Sequence, residues 1–260
     1  MFNFDLIKNT IILLINISLS YVTVQPSHIN TDFIKIPTSL TFNSEYDLDD
    51  SQCYSASCRE NGDILIGGAN GLYCLDKNYV LKKYNMPFKI VTAAIEHHQA
   101  IYILHREEDT CKVEMCLPDL KQWQTLFEFK NTSKNVASMS ASNRYIVVYV
   151  PTGSVPRRLI IYDFITKQCK TTQADIPCLP YFLPDGHLLA VHGECNQLSK
   201  YSIEEGELTL IWSCKDLPNI RAVCADSNGL IYGVTCITDE TCQTTCLYII
   251  SPTGKEILLL

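Results

Sequence analysis

The sequence predicts an all-β fold of about five repeated units, each of four antiparallel strands. Three observations predict it: five polar turns each precede a strongly apolar strand-like run, the turns recur at a nearly constant interval, and helical periodicity is nearly absent. The turns are Glu60-Asn61-Gly62-Asp63, His97-His98-Gln99-Ala100, Ser142-Asn143-Arg144, Pro184-Asp185-Gly186-His187 and Asp226-Ser227-Asn228-Gly229. Anchored on Gly62, Gln99, Asn143, Gly186 and Gly229, the steps are 37, 44, 43 and 43 residues. Four short strands in roughly forty residues is the arithmetic of a β-propeller blade. A sandwich or barrel also spaces short strands evenly, but needs no such self-similarity.

Each element follows from runs of Ile, Val, Leu and Tyr bounded by Gly, Asn, Asp and Pro. The first unit has strands at 54–58, 64–67, 72–75 and 80–84. The second has 91–95, 101–104, 113–117 and 124–129, and the third 136–139, 145–150, 159–162 and 168–172. The fourth has 179–183, 188–191, 198–203 and 208–212, and the fifth 222–225, 230–234, 247–250 and 256–260. The third-to-fourth links, such as Asp76-Lys77-Asn78 and Glu204-Glu205-Gly206-Glu207, are polar hairpin turns. Gly67-Gly68-Ala69-Asn70-Gly71 looks like a phosphate loop but lies between two strands, so it reads as a hairpin turn.

The 260 residues suffice for one large domain with a sizeable core. With 47% hydrophobic and 19% charged residues, the chain is not mostly disordered. A net charge of -7 gives no general reason to seek nucleic acid or anionic membrane. Pro156-Arg157-Arg158 and Lys82-Lys83 are too short for a nucleic-acid stripe.

Residues 1–20 read as a signal peptide. Ile11 to Ile15 begins a short apolar run, and Ser18-Leu19-Ser20 offers small residues for cleavage after Ser20. That implies a secreted or lumenal protein with no membrane span after cleavage; if 1–20 is not a signal, the protein is cytoplasmic. Residues 21–49 form a leading segment with one or two strands at 33–42, and 50–260 form the propeller.

The 13 cysteines are an odd number, so they cannot all pair within one chain. Cys58, Cys74, Cys178, Cys214 and Cys224 lie in or beside apolar runs, where a cysteine acts as a small core residue. Cys111, Cys116, Cys236, Cys242 and Cys246 lie in polar segments and are the disulfide candidates, with the pairing open. Their spacing does not match a zinc site. One sequon, Asn131-Thr132-Ser133, offers Asn131 for glycosylation.

Pro184-Asp185-Gly186-His187-Leu188-Leu189-Ala190-Val191 and Asp226-Ser227-Asn228-Gly229-Leu230-Ile231-Tyr232-Gly233-Val234 resemble NHL-type repeats. So does Glu60-Asn61-Gly62-Asp63-Ile64-Leu65-Ile66-Gly67-Gly68, and Ile249-Ile250-Ser251-Pro252-Thr253-Gly254-Lys255 looks like such a blade's closing segment. Similar propellers end tripartite-motif proteins, but this chain lacks RING, B-box and coiled-coil signatures, so ubiquitin-ligase activity is not implied. No unit carries the Trp-Asp and Gly-His marks of WD40 repeats. The resemblance implies six blades where five are counted. Either 33–42 helps close the ring, or the ring is incomplete and 256–260 is left as a bare edge.

No Gly-x-Ser-x-Gly elbow or organised Ser–His–Asp set is present, and no catalytic residue is assigned. Turn histidines such as His97, His98 and His187 read as solvated. The reading is a noncatalytic module that holds a protein or peptide on its loop face, where 151–158 and 235–245 are the long second-to-third links. The alternative is a calcium-dependent lactonase or esterase. Asp50, Asn135, Asp175 and Asn219 each precede a first strand and supply the oxygen ligands that calcium prefers. A third reading is an intracellular NHL-type scaffold. No cofactor is expected beyond that calcium.

Overall fold

A computed structural model describes residues 53–259 except 60, 79, 118–121, 132–136, 152–156, 174–178, 193–196, 216, 218–219, 227, 239–242 and 255–256. For 192, 221–222, 234–238, 243–247 and 257–259 the backbone alone is described. These residues all fall in the unit Ser51–Leu260. The signal peptide and the leading strands expected at 33–42 lie outside them.

Five four-stranded antiparallel sheets follow one another along the chain as the five blades of a β-propeller. Blade 1 is β1 (Cys53–Cys58), β2 (Ile64–Gly68), β3 (Gly71–Leu75) and β4 (Leu81–Lys83). Blade 2 is β5 (Ile90–His97), β6 (Ala100–Glu107), β7 (Thr110–Cys116) and β8 (Trp123–Lys130). Blade 3 is β9 (Ser138–Ala141), β10 (Tyr145–Val150), β11 (Arg158–Asp163) and β12 (Gln168–Gln173). Blade 4 is β13 (Leu179–Phe182), β14 (Leu188–His192), β15 (Gln197–Glu204) and β16 (Glu207–Cys214). Blade 5 is β17 (Ile220–Ala225), β18 (Ile231–Thr238), β19 (Gln243–Ile250) and β20 (Ile257–Leu259). In every sheet the strands stand in chain order.

The middle strands are covered on both faces, so they read as continuous apolar runs. All six residues of β10 are buried, as are all five of β2 and of β3. The outermost strand of blade 3, β12, is exposed everywhere but Thr172.

The first turn of blades 1, 4 and 5 has one geometry. The Gly62, Gly186 and Gly229 amides donate to the carbonyls of Arg59, Leu183 and Asp226 at 2.9–3.0 Å. The three glycines stand at φ 87, 83 and 78, which closes a three-residue hairpin loop. Blade 2 has a two-residue turn with His98 and Gln99 both at positive φ. The short 37-residue first step reflects the outer strand β4, three residues against eight in β8.

Apolar clusters join neighbouring blades. Leu65 and Leu72 meet Val91 and Ile103 between blades 1 and 2, and Leu104 and Val113 meet Ile146 and Val148 between blades 2 and 3. Tyr149 and Ile161 meet Phe182 and Leu188 between blades 3 and 4, and Leu189 and Leu198 meet Ile220 and Ile231 between blades 4 and 5. Polar bonds add to these seams. Ser57 Oγ donates to the Ala94 carbonyl at 2.6 Å, the Phe182 amide to Ser140 Oγ at 2.9 Å, and the Ala225 amide to the Tyr181 hydroxyl at 3.2 Å.

Three expectations change. The third strand of blade 2 begins at Thr110, because a two-residue turn with Glu108 at φ 53 lets the hairpin continue; Cys111 is therefore a buried strand residue. Residues 235–245 are not one long loop, since β18 runs to Thr238 and β19 starts at Gln243. Cys58 is exposed, and Cys214 and Cys224 are half-buried; of the expected core cysteines described, Cys74 is buried.

Candidate functional site: a buried histidine beneath an acidic cleft

On the blade-1 side of blade 2, antiparallel register builds three polar rows. Glu107 lies opposite Thr110, His105 opposite Lys112, and Ile103 opposite Glu114. On the next strand Lys112 lies opposite Glu128 and Glu114 opposite Thr125. Paired residues share a face, so these side chains converge. Ile101 and Ile103, on the same face of β6, pack into the blade 1–2 core.

His105 is 1% exposed and Glu114 5%. The His105 ring stacks on Phe88, with centroids 4.0 Å apart and planes at 27°, and Phe88 meets Trp123 edge-on at 5.3 Å. His105 Nε2 stands 3.6 Å from Glu114 Oε1 and Nδ1 stands 4.0 Å from Glu107 Oε1. Both distances exceed a hydrogen bond, and both ring nitrogens are buried without a hydrogen-bond partner. Thr125 Oγ1 donates to Glu114 Oε1 at 2.9 Å. Burial pushes the imidazole below its ordinary pKa; Glu107 and Glu114 oppose that, and Lys112 adds to it. The ring is therefore neutral at pH 7.

A cleft of ≈ 470 Å³ opens above these rows, lined by Glu107, Glu108, Thr110, Lys112 and Glu128. The Lys112 ammonium donates to Glu107 Oε2 at 2.8 Å, which lowers the Glu107 pKa and raises that of Lys112. Three carboxylates in the wall and Glu114 in the row beneath outnumber the one ammonium. Chemically, the arrangement suits a cation with hydrogen-bonding N–H groups. A His–Glu pair is also an acid–base unit; the hydroxyl bonded to it is that of Thr125, while the Cys111 thiol belongs to the blade 2–3 core.

Asp50, Asn135, Asp175 and Asn219 lie outside the described residues, and among the described residues no group of three His, Cys, Asp or Glu side chains is placed to hold a metal. Asn131 is 1% exposed beside Cys111, so attaching a glycan requires its side chain to leave that place. Cys111 and Cys116 are both buried, and neither is in a disulfide. Five residues apart on one strand, their Cα atoms are separated by about 16 Å, which excludes a bond between them. Cys236 and Cys246 sit on β18 and β19, opposite Thr245 and Thr235. Their side chains, and Cys242, lie outside the described residues. His187 is not simply solvated: its Nδ1 meets Asp185 Oδ2 at 3.0 Å. Sequence reading missed Glu114. Its signal was a lone carboxylate between Val113 and Met115 inside an apolar run.

No family model and no curated protein matches this chain. Solved structures do. A protein assigned as TolB from Agrobacterium tumefaciens superposes with TM-score 0.60 at 10% identity, covering 80% of each chain. A chain of a nidogen/laminin complex gives 0.59 at 9% identity, covering 80% of this chain and 79% of that one. A protein assigned as a gluconolactonase gives 0.58 at 12% identity, covering 80% of each. At such identities the likeness concerns the fold alone, and the fold is that of a β-propeller.

Proposed function

We propose that this chain is a noncatalytic binding propeller of NHL type that holds a basic segment of a protein or peptide in the blade-2 cleft. The observation that carries this reading is His105, whose two buried ring nitrogens have no hydrogen-bond partner beneath a wall of glutamates. A buried polar group left unpaired costs about 1–3 kcal/mol. A lysine or arginine side chain entering the cleft offsets part of that cost: its N–H donates to a ring nitrogen while its charge meets Glu107 and Glu128. The cleft lies at the second-to-third strand turn of blade 2, the end of the blade where the loop-face reading puts binding.

Anisotropy titrations of fluorescent peptides test this, with lysine- and arginine-bearing peptides compared against neutral and acidic ones of equal length. The reading expects binding of the basic set, weakened by salt, and a loss of about tenfold or more in the Glu107→Gln/Glu128→Gln double variant. Equal binding of all sets, or a double variant that binds as the wild type does, overturns it. N-terminal sequencing of the product of secretory expression tests the proposed secreted or lumenal location. A chain starting after Ser20 supports it, and an intact Met1 favours the intracellular scaffold.

The second reading is a calcium-dependent hydrolase. Asp50, Asn135, Asp175 and Asn219 favour it, because each precedes a first strand and supplies an oxygen ligand. Metal analysis with a lactone and ester panel tests it. Absence of both bound calcium and turnover removes it.

A further inference from the structure

The seam between blades 5 and 1 carries Ile64, Ile66, Tyr73 and Leu75 on the face of blade 1 turned away from blade 2, all buried. Buried apolar clusters of described residues span blades 1–2, 2–3, 3–4 and 4–5, and none of them spans 5–1. Two cysteines face each other there. On β1, Ser57 turns toward blade 2 to bond the Ala94 carbonyl, and Arg59 reaches Glu96 of the same blade. Strand alternation therefore turns Cys58, between them, away from blade 2 and toward blade 5. On β17, Val223 and Ala225 pack into the blade 4–5 core. Alternation turns Cys224, between those two, away from blade 4 and toward blade 1.

Both residues lie near the turn end of their innermost strands, Cys58 paired with Ile64 and Cys224 with Tyr232. Cys58 stands near enough to add to the upward push on the Cys224 thiol, and both thiols lie near the Tyr181 hydroxyl, which is bonded to the Ala225 amide. Cys58 is exposed and Cys224 half-buried.

We propose that Cys58 and Cys224 form a redox pair whose disulfide bolts blade 5 to blade 1. The oxidant is a low-molecular-weight disulfide such as glutathione disulfide. The exposed Cys58, as thiolate, attacks one of its sulfurs; that S–S bond breaks and one glutathione thiolate leaves. Cys224 then gives its proton to solvent, and its thiolate attacks the Cys58 sulfur of the mixed disulfide. The second glutathione leaves as thiolate. Two protein thiols are oxidised and one glutathione disulfide is reduced to two glutathiones. Burial holds the Cys224 thiol protonated, with its pKa pushed up to about 11, so the second step quickens as pH rises. Disulfide geometry brings the two Cα atoms to about 4.4–6.8 Å, drawing the two blades together.

The test is oxidation of the full chain with glutathione disulfide, followed by intact mass, nonreducing peptide mapping and thermal melting. The expected result is loss of two hydrogens, a peptide pair joined through Cys58 and Cys224, and a melting temperature that rises and falls back on reduction. Cys58→Ser should leave Cys224 unmodified, and Cys224→Ser should trap glutathione on Cys58. A wild type that keeps glutathione on Cys58 with Cys224 reduced overturns the proposal, as does Cys58 joined to any other cysteine.

Discussion

Arg59 and Glu96 form a two-pronged ion pair across the seam between blades 1 and 2, Nε to Oε2 at 3.1 Å and Nη2 to Oε1 at 2.8 Å. Their side chains are 12% and 7% exposed. Removing Glu96 breaks the fork and leaves the largely buried Arg59 with the more distant Asp63, 3.8 Å away. Glu96→Gln is expected to cost about 3 kcal/mol, read as a lower urea midpoint at unchanged slope. Arg59→Lys keeps the charge but loses the fork, so it should fall between wild type and Glu96→Gln.

Gly67→Ala tests the same seam sterically. A Cβ there would stand 2.8 Å from both Ser55 Oγ and the Val91 backbone carbonyl oxygen. The carbonyl belongs to β5 and cannot swing aside, so a loss of about 1–3 kcal/mol is expected. Gly62 has open space around its Cβ position, and its φ of 87 is the only obstacle. Gly62→Ala should cost about 1–2 kcal/mol from backbone strain alone. Chemical denaturation of the two variants checks both values.

Acid should weaken blade 4 through Asp185. Burial raises this carboxyl's pKa, but hydrogen bonds from Lys200 (2.7 Å) and His187 outweigh it and hold the pKa at about 2. A folded pKa below the unfolded value means the unfolded chain binds more protons in that range. This contribution is thus present above about pH 4 and is lost as pH falls toward 2. Melting temperatures from pH 5 to pH 2, roughly the span over which such a carboxylate titrates, should drop less steeply in Asp185→Asn than in the wild type.

His105 should oppose stability while serving binding. Leucine at this position removes two unpaired buried nitrogens, so His105→Leu is expected to gain about 1 kcal/mol and to weaken capture of a basic peptide. Its pKa is lowered by burial, so the unfolded chain takes up the extra proton. The wild type should lose stability as pH falls below about 6.5, and His105→Leu should not show that component. A stabilised variant with undiminished peptide affinity counts against the cleft as a binding site.

Blade architecture was legible because a middle strand buried on both faces leaves a continuous apolar run, as in Tyr145-Ile146-Val147-Val148-Tyr149-Val150. The start of β7 was not, because Cys111 and Lys112 read as polar until the tight turn at Glu108 extends the hairpin. The His105 cluster depends on facts that no single segment carries. Register sets His105 beside the row of Glu114, and Phe88 comes from the link before β5 to stack on the ring. The facing of Cys58 and Cys224 was hidden for a similar reason: it depends on which blades meet when the ring curls round.

The exposed outer strands have a consequence for inheritance. β12 is held by backbone bonds to β11, and five of its six side chains point into water. Any residue that tolerates an extended backbone serves there. Substitutions can therefore accumulate on the perimeter for long periods at little cost to folding, while the middle strands must keep only a continuous apolar run and its bulk. Shape is thus held by far fewer demands than spelling, and solved propellers share this fold at 9–12% identity.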